Sequence, residues 1–267
     1  MLKELIESVD KSIDEVVQYI EKKSPISYTL LLGQADIIEG LEKHVGTNCV
    51  IDYQLDTYND ETRNAFYLKY MNKNYRHDGF LYQGEDGIYD LNIEMMIYTH
   101  LWESSFLYKS IYRIASIVKN GEYVWKLEMP KAGIYNILTN DIVAPLKQAG
   151  LKLGDIIEDS YCSVLRNSFA HSLYQIVEDR KIIHTRSNNS YNTFSFEEFQ
   201  RKFLQSIIIC NHLSNKLLII HDSLASKNAQ LTEEFMTPDG LKVSVYGCMV
   251  QRGNSLYPEF RLVRSIY

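Results

Sequence analysis

"IIEDSYCSVLRNSFAHSLYQ", residues 156–175, decides how the chain folds. Placed on a helix at about 100° per residue, Ile157, Tyr161, Val164, Leu165, Phe169, Leu173 and Ile176 gather on one broad side. The opposite stripe is Ser160, Ser163, Asn167, His171 and Tyr174, a continuous helical face. The spacing predicts one long helix from Ile156 to about Gln175, capped by Asp155. Solvated helix faces ordinarily carry Lys and Glu. This one is polar but uncharged, with Arg166 at its edge, so it is expected to line a cleft or a subunit contact.

The residue types on that face have a definite chemistry. Histidine gives or takes a proton near neutrality. Arginine stays charged and offers a planar fork to phosphate oxygens. Asn167, one turn before His171, is placed to fix its tautomer or to donate to a phosphate. Without a carboxylate cluster, a His/Arg pair suits metal-independent cleavage of RNA. The histidine serves the 2′-hydroxyl or the leaving 5′-oxygen, and the arginine stabilises charge on the phosphorane. One histidine does not readily serve as acid and base at once, whereas two copies across a dimer supply both. The structural alternative is a histidine without chemistry and an arginine paired with a buried carboxylate, for which Glu94 and Glu103 are available.

Upstream, Leu91–Lys119 is apolar on nearly all sides, the mark of a central buried helix. Within it, His100 and Glu103 stand one turn apart, and Glu103 is expected to support Arg166 or His171. Further upstream, Leu2, Leu5, Ile6, Val9, Ile13, Val16, Val17 and Ile20 mark an amphipathic helix that stops at "KKSP". A short helix is expected through "LLLGQADIIEGLEKH", strand-like pieces such as "CVIDYQL", and a turn at "QGEDGIYD". Residues 120–133 read as a connector, and 133–149 as a helix disturbed at Pro145 and ended by Gly150. Downstream, "QIVEDRKIIHTR" reads as a hairpin and "NNSYNT" as a polar loop. Ser195 followed by Glu198 opens a last helix running to about Ala225, and 239–267 reads as strands.

Composition narrows the class. The 267 residues are 45% hydrophobic and 23% charged, as in an ordinary globular protein. A net charge of −6 argues against generic electrostatic binding of nucleic acid but leaves room for a local basic cleft, with Lys109, Arg113 and Lys119 as candidate lining. The 20 tyrosines suit partly buried surfaces and interfaces, although a codon bias toward Tyr, Ile, Asn and Lys accounts for the same count. Cys49, Cys162, Cys210 and Cys248 show no CxxC spacing, so no zinc ribbon or redox pair is signalled and a reducing cytoplasm fits. The N-terminus has no apolar signal core, and the longest apolar run, 206–221, is interrupted by Asn211, His212, Asn215 and Lys216. No metal or cofactor is expected. His184, His212 and His221 read as core or surface side chains, and "HVGTN" and "QGEDG" lack phosphate-loop spacing.

"RNSFAH", with Arg166, Asn167 and His171, resembles the R-x(4–6)-H motif of the HEPN domain family. Its setting is similar too: a long apolar helix before it, "HSLY" after it, a short hairpin, then "FSFEEFQRKF" opening a last helix. The resemblance covers about 89–225. It implies a four-helix up-and-down bundle; with the N-terminal helical and mixed extension (1–88) and the β-rich tail (226–267) read from the residues outside it, the chain is expected to be mostly α. It implies a homodimer with two motifs facing each other in a composite cleft. The activity implied is metal-independent endoribonuclease activity on RNA, often in toxin–antitoxin, phage-defence or RNA-guided systems, where an antitoxin or defence partner is expected. Arg166 and His171 match the family's catalytic pair and Asn167 its intervening polar position. Glu103, Tyr174 and Ser163 are supporting candidates. Tyr174 stands three residues after the histidine, not the two seen in one toxin subgroup, and that role is not carried over. Many family members act instead as binding or scaffold modules, the second expectation for this chain.

Overall fold

Val9, Ile13, Val16, Val17 and Ile20 turn one face of helix α1 (Leu2–Lys23) into a wall of the hydrophobic core. These side chains are nearly inaccessible and pack α1 against the last and longest helix, so the amphipathic pattern finds its partner within the chain. The computed structural model describes residues 2–52, 65–66, 69–70, 75–76, 79–80, 87–130, 133–177, 182–187 and 190–264. It is mostly helical, with small antiparallel sheets.

The chain turns at Ser24, and α2 (Pro25–Leu32) starts with proline where a missing N–H costs nothing. The helix expected through residues 30–44 does not form. Leu32 is the last helical residue, Gln34 takes a left-handed backbone (φ 50°), and Asp36–Ile37 (β1) pairs antiparallel with Cys49–Val50 (β2). Only α3 (Glu42–Val45) remains helical. The reason is a buried charge. Asp36 accepts hydrogen bonds from Lys109 Nζ (2.9 Å) and Arg113 Nη2 (3.2 Å). Arg113 is 1% exposed, also donates to Val124 O and Trp125 O, and lies over the Tyr123 ring. Lys109 and Arg113 therefore hold the fold together and do not line a basic groove; Lys119 is exposed at a helix end.

The apolar run from Leu91 to Lys119 is two helices, α4 (Gly87–Leu101) and α5 (Ser105–Asn120), not one. Ser104 breaks it by capping α5, its Oγ accepting from Leu107 N at 3.3 Å. The "GIYD" expected in a turn is the first turn of α4; the residues just before it lie outside those described. A two-residue ladder, Tyr75–Arg76 (β3) with Gly79–Phe80 (β4), precedes α4.

Pro145 disturbs the next helix from a distance. After Ile134–Ile137 the ladder slips to a π-helical stretch, Leu138–Val143, and resumes as Ala144–Gln148; together these are α6. Proline lacks an N–H and its ring excludes the carbonyl four residues back, here Asp141, inside the π stretch. Next come α7 (Leu153–Ser160) and α8 (Ser163–Ala170). Tyr174–Ile176 (β5), Ile182–Ser187 (β6) and Ser190–Ser195 (β7) make an antiparallel sheet in that order. The expected hairpin is its first pair. The part of "NNSYNT" from Ser190 to Thr193 is paired strand, not loop, because β6 offers it a complete edge.

Helix α9 (Phe196–Ala225) begins as the capping residues require: Ser195 Oγ accepts from Glu198 N at 3.1 Å. Phe199, Phe203, Leu204, Ile209, Cys210 and Leu213 face the core, and α1, α4 and α7 pack on it. Although its 206–221 run is interrupted by polar residues, α9 as a whole is long and apolar enough to cross a membrane by length and composition alone; 56% of that window is buried in the fold. His212 pairs with Asp10 of α1, and buried His221 with Asp222.

Phe235–Met236 (β8), Lys242–Arg252 (β9) and Ser255–Arg264 (β10) form the expected C-terminal strands. The β9–β10 hairpin lies against the end of α9, and Gly247 permits it. A Cβ there would stand 2.9 Å from Ala225 Cα and Leu224 O. Asp239, before β9, accepts from Thr237 Oγ1, Thr47 Oγ1 and Asn48 N, tying this hairpin to the β1–β2 region.

Candidate functional site

The helix carrying Arg166 is shorter than its sequence periodicity. Tyr98, fully buried on α4, inserts its hydroxyl between α7 and α8. The hydroxyl donates to Ser160 O (2.9 Å) and accepts from Cys162 N (2.7 Å). Those two bonds satisfy backbone groups that a continuous helix would have paired internally. Tyr161 and Cys162 are accordingly extended, with ψ of 130° and 107°. The expected single helix from 156 to 175 is thus two, and Asp155 lies within the first turn of α7 instead of capping it.

The polar stripe is dispersed by this break. Ser160 is buried and bonds back to Ile157 O. Ser163 opens α8, Asn167 is exposed on it, His171 caps its C-terminus, and Tyr174 has passed into β5. Arg166, Asn167 and His171 remain together on one short element. The Tyr174 hydroxyl meets Asn92 Oδ1 of α4, and its ring stacks on Phe169 at 5.6 Å, so it braces the strand against α4 and α8.

Arg166 is held from two sides. Its Nη2 donates to Glu103 Oε1, and Nη1 donates to Asn167 Oδ1 at 3.0 Å. Glu103 stands in the turn before the Ser104 cap, and its other oxygen lies 3.8 Å from His100 Nδ1. The side chains are partly accessible: 24% for Arg166, 35% for Glu103 and 42% for His100. The Nε of Arg166 is buried with no partner among the described residues.

His171 ends α8 through a Schellman arrangement. Leu173 N donates to Ser168 O (2.7 Å) and Ser172 N to Phe169 O (3.0 Å), with Ser172 left-handed at φ 54°. A serine occupies the position where glycine is the unstrained choice. The turn leaves His171 exposed at the helix end.

Sequence periodicity missed the aromatic cluster around Tyr161, which stands within electrostatic reach of Arg166. Tyr161, assigned to the apolar side, packs edge-on against Trp102 (5.0 Å) and is stacked by the exposed Tyr135 (6.4 Å, 24°). Its buried hydroxyl has no partner among the described residues. Burial pushes this phenol up to about 12, while the Arg166 charge pulls it the other way. No one-dimensional signal joins residues 102, 135 and 161.

Among the described residues no group of three or more His, Cys, Asp or Glu side chains is placed to hold a metal ion. Comparisons with family models, with curated proteins and with solved structures find no match to this chain.

Proposed function

We propose that the chain is a metal-independent endoribonuclease of the HEPN type, acting as a toxin or defence effector. Its bundle would present Arg166 and His171 from each of two copies in a composite cleft. One observation carries the reading: an exposed imidazole ends the same short helix whose partly accessible guanidinium is fixed by Glu103 and Asn167. A positioned charge and a titratable group five residues on supply the two functions the reaction needs.

In this mechanism one His171 takes the proton of a ribose 2′-hydroxyl. The oxygen attacks the adjacent phosphorus, and the bond to the 5′-oxygen breaks. The leaving oxygen takes a proton from the second copy's His171. Arg166 neutralises charge gathering on the non-bridging oxygens. The products are a 2′,3′-cyclic phosphate and a 5′-hydroxyl, and no metal enters. Loss of a general acid–base group costs roughly 10²- to 10⁴-fold in rate.

A second reading has its own observation. Both terminal nitrogens of Arg166 already have partners within the chain, as expected of an interaction module in which the motif is structural. Labelled cellular RNA incubated in EDTA with wild type and with His171→Ala separates the two. Cleavage by wild type alone, leaving cyclic phosphate ends, supports the nuclease. Silence from both, at equal folding and oligomeric state, favours the module, and equal cleavage by both removes His171 from the chemistry.

A further inference from the structure

His100 and Glu103 are placed in sequence so that both side chains share one helical turn. The backbone pins that turn where α4 ends: Glu103 N donates to His100 O (3.2 Å) and Ser104 N to Leu101 O (3.1 Å). Glu103 therefore meets a guanidinium and an imidazole with one carboxylate. Its Oε1 accepts from Arg166 Nη2, and its Oε2 lies 3.8 Å from His100 Nδ1. The first contact is a hydrogen bond. The second is too long for one and becomes an ion pair only when the imidazole carries a proton.

The charge at this turn depends on that proton. Arginine is always charged. With His100 neutral, Arg166 and Glu103 cancel, and an anion arriving at the guanidinium finds a carboxylate already seated there. With His100 protonated, the three groups carry one net positive charge, and Glu103 has a second cation to turn to. His100 sits in the last turn of α4, where the helix carbonyls favour the proton. Among the described residues no other charged group touches Glu103 or His100. The Tyr161 phenol lies within electrostatic reach of Glu103 and Arg166, but burial pushes it up to about 12 and it stays neutral. Asn167 Oδ1, the other acceptor on Arg166, carries no charge. The His100 side chain is 42% exposed and that of Arg166 24%, so a proton and an anion both have access.

We propose that Glu103 is a counter-ion shared between Arg166 and His100, and that a proton on His100 draws it off Arg166 and opens the guanidinium to a phosphate-like oxyanion. The inference rests on the ribonuclease reading, in which Arg166 meets a phosphate, and adds a proton-linked control to that site. His100 is a positioning residue: it acts on Arg166 through Glu103 and touches no reacting atom. The coupling is reciprocal, so the anion favours the proton by the factor that the proton favours the anion.

The test uses the full chain, carbon-13-labelled at histidine Cε1, and sulfate, whose charge is constant across the range, at fixed ionic strength. Affinity is read at about pH 5.5 and about pH 8, on either side of histidine protonation. Wild type is expected to bind sulfate roughly threefold to tenfold more tightly at the lower pH, the size of one partly screened charge nearby. Sulfate should also raise the pH midpoint of the His100 ring signal. His100→Gln should bind weakly at both pH values. His100→Lys, charged throughout, and Glu103→Gln, without the counter-ion, should each bind at the higher pH as wild type does at the lower. Those are gains that a misfolded variant does not imitate. Equal wild-type affinity at the two pH values overturns the proposal. So does a pH dependence that survives in His100→Gln, as titration of His171 would produce, sulfate binding that survives Arg166→Gln, or no binding by wild type. Proton-linked sulfate binding without cleavage of RNA would retain the shared counter-ion and remove the ribonuclease. Cleavage with a pH profile unchanged by His100→Gln would do the reverse.

Discussion

Glu103, in the turn between α4 and α5, accepts a hydrogen bond from the guanidinium of Arg166 on α8. The two residues are 63 apart in sequence, and the bond ties the motif helix to the helix pair beneath it. Arg166 is the less accessible partner, at 24%. Removing the carboxylate leaves a half-buried charge, which costs more than the pair itself contributes. Glu103→Ala is expected to lower stability by about 1–3 kcal/mol, and Glu103→Gln by less, because the amide oxygen still accepts. The double variant Glu103→Ala/Arg166→Ala should lose less than the sum of the singles. Urea unfolding of the four proteins measures this, and strict additivity would show the pair to be uncoupled.

Ser172 controls how His171 is presented. Its left-handed backbone, φ 54°, is strained for serine and free for glycine. Ser172→Gly is expected to raise stability by about 0.5–1 kcal/mol, and Ser172→Val to lower it by more. Thermal unfolding reads both. A destabilised glycine variant would show that the serine side chain matters more than the backbone.

Ile13 lies fully buried on α1 against the core. Ile13→Ala is expected to cost about 2–5 kcal/mol through lost burial and a cavity. Deleting α1 uncovers a core wall, so the truncated chain should be insoluble or lose cooperative unfolding. A well-folded truncation with an unchanged melting profile would contradict the packing of α1 on α9.

Glu94 sets a pH dependence of known sign. It is inaccessible on α4, and burial pushes its carboxyl well above the ordinary value of 4.5. The folded chain therefore keeps its proton where the unfolded chain has released it. That contribution to stability is fully present below about pH 4.5 and is lost progressively as pH rises above it. Glu94→Gln should gain on wild type at pH 7.5 relative to their difference at pH 4.5. Chemical denaturation at the two pH values checks this, and a difference independent of pH would mean that Glu94 is not held protonated.

Helices with one solvated and one buried face were legible in the sequence. The α1 pattern of Val9, Ile13 and Val16 and the Ser195–Glu198 cap of α9 predicted their elements almost to the residue. Interruptions were less legible. Ser104 divides an apolar run that looks continuous, and the effect of Pro145 falls before the proline, not at it. Of the candidate site, Arg166, Asn167 and His171 were visible as a motif, as was Glu103 as a carboxylate within reach of it. Tyr135 and Tyr161 were not, because one read as an ordinary helix residue and the other as core.

By itself the sequence determined what depends on neighbours along the chain: helical periodicity, caps, the pairing of Tyr174–Ile176 with Ile183–Thr185, and the five-residue step from Arg166 to His171. Local sterics and local hydrogen bonds decide those features. Tertiary structure alone decided where the motif helix begins and what holds its arginine. Tyr98, from another helix, supplies the two hydrogen bonds that break the chain between α7 and α8, and Glu103 supplies the anion that fixes Arg166. A backbone group is indifferent to whether its partner is four residues or sixty away, provided it is paired. Which partner it takes is settled only when the core closes.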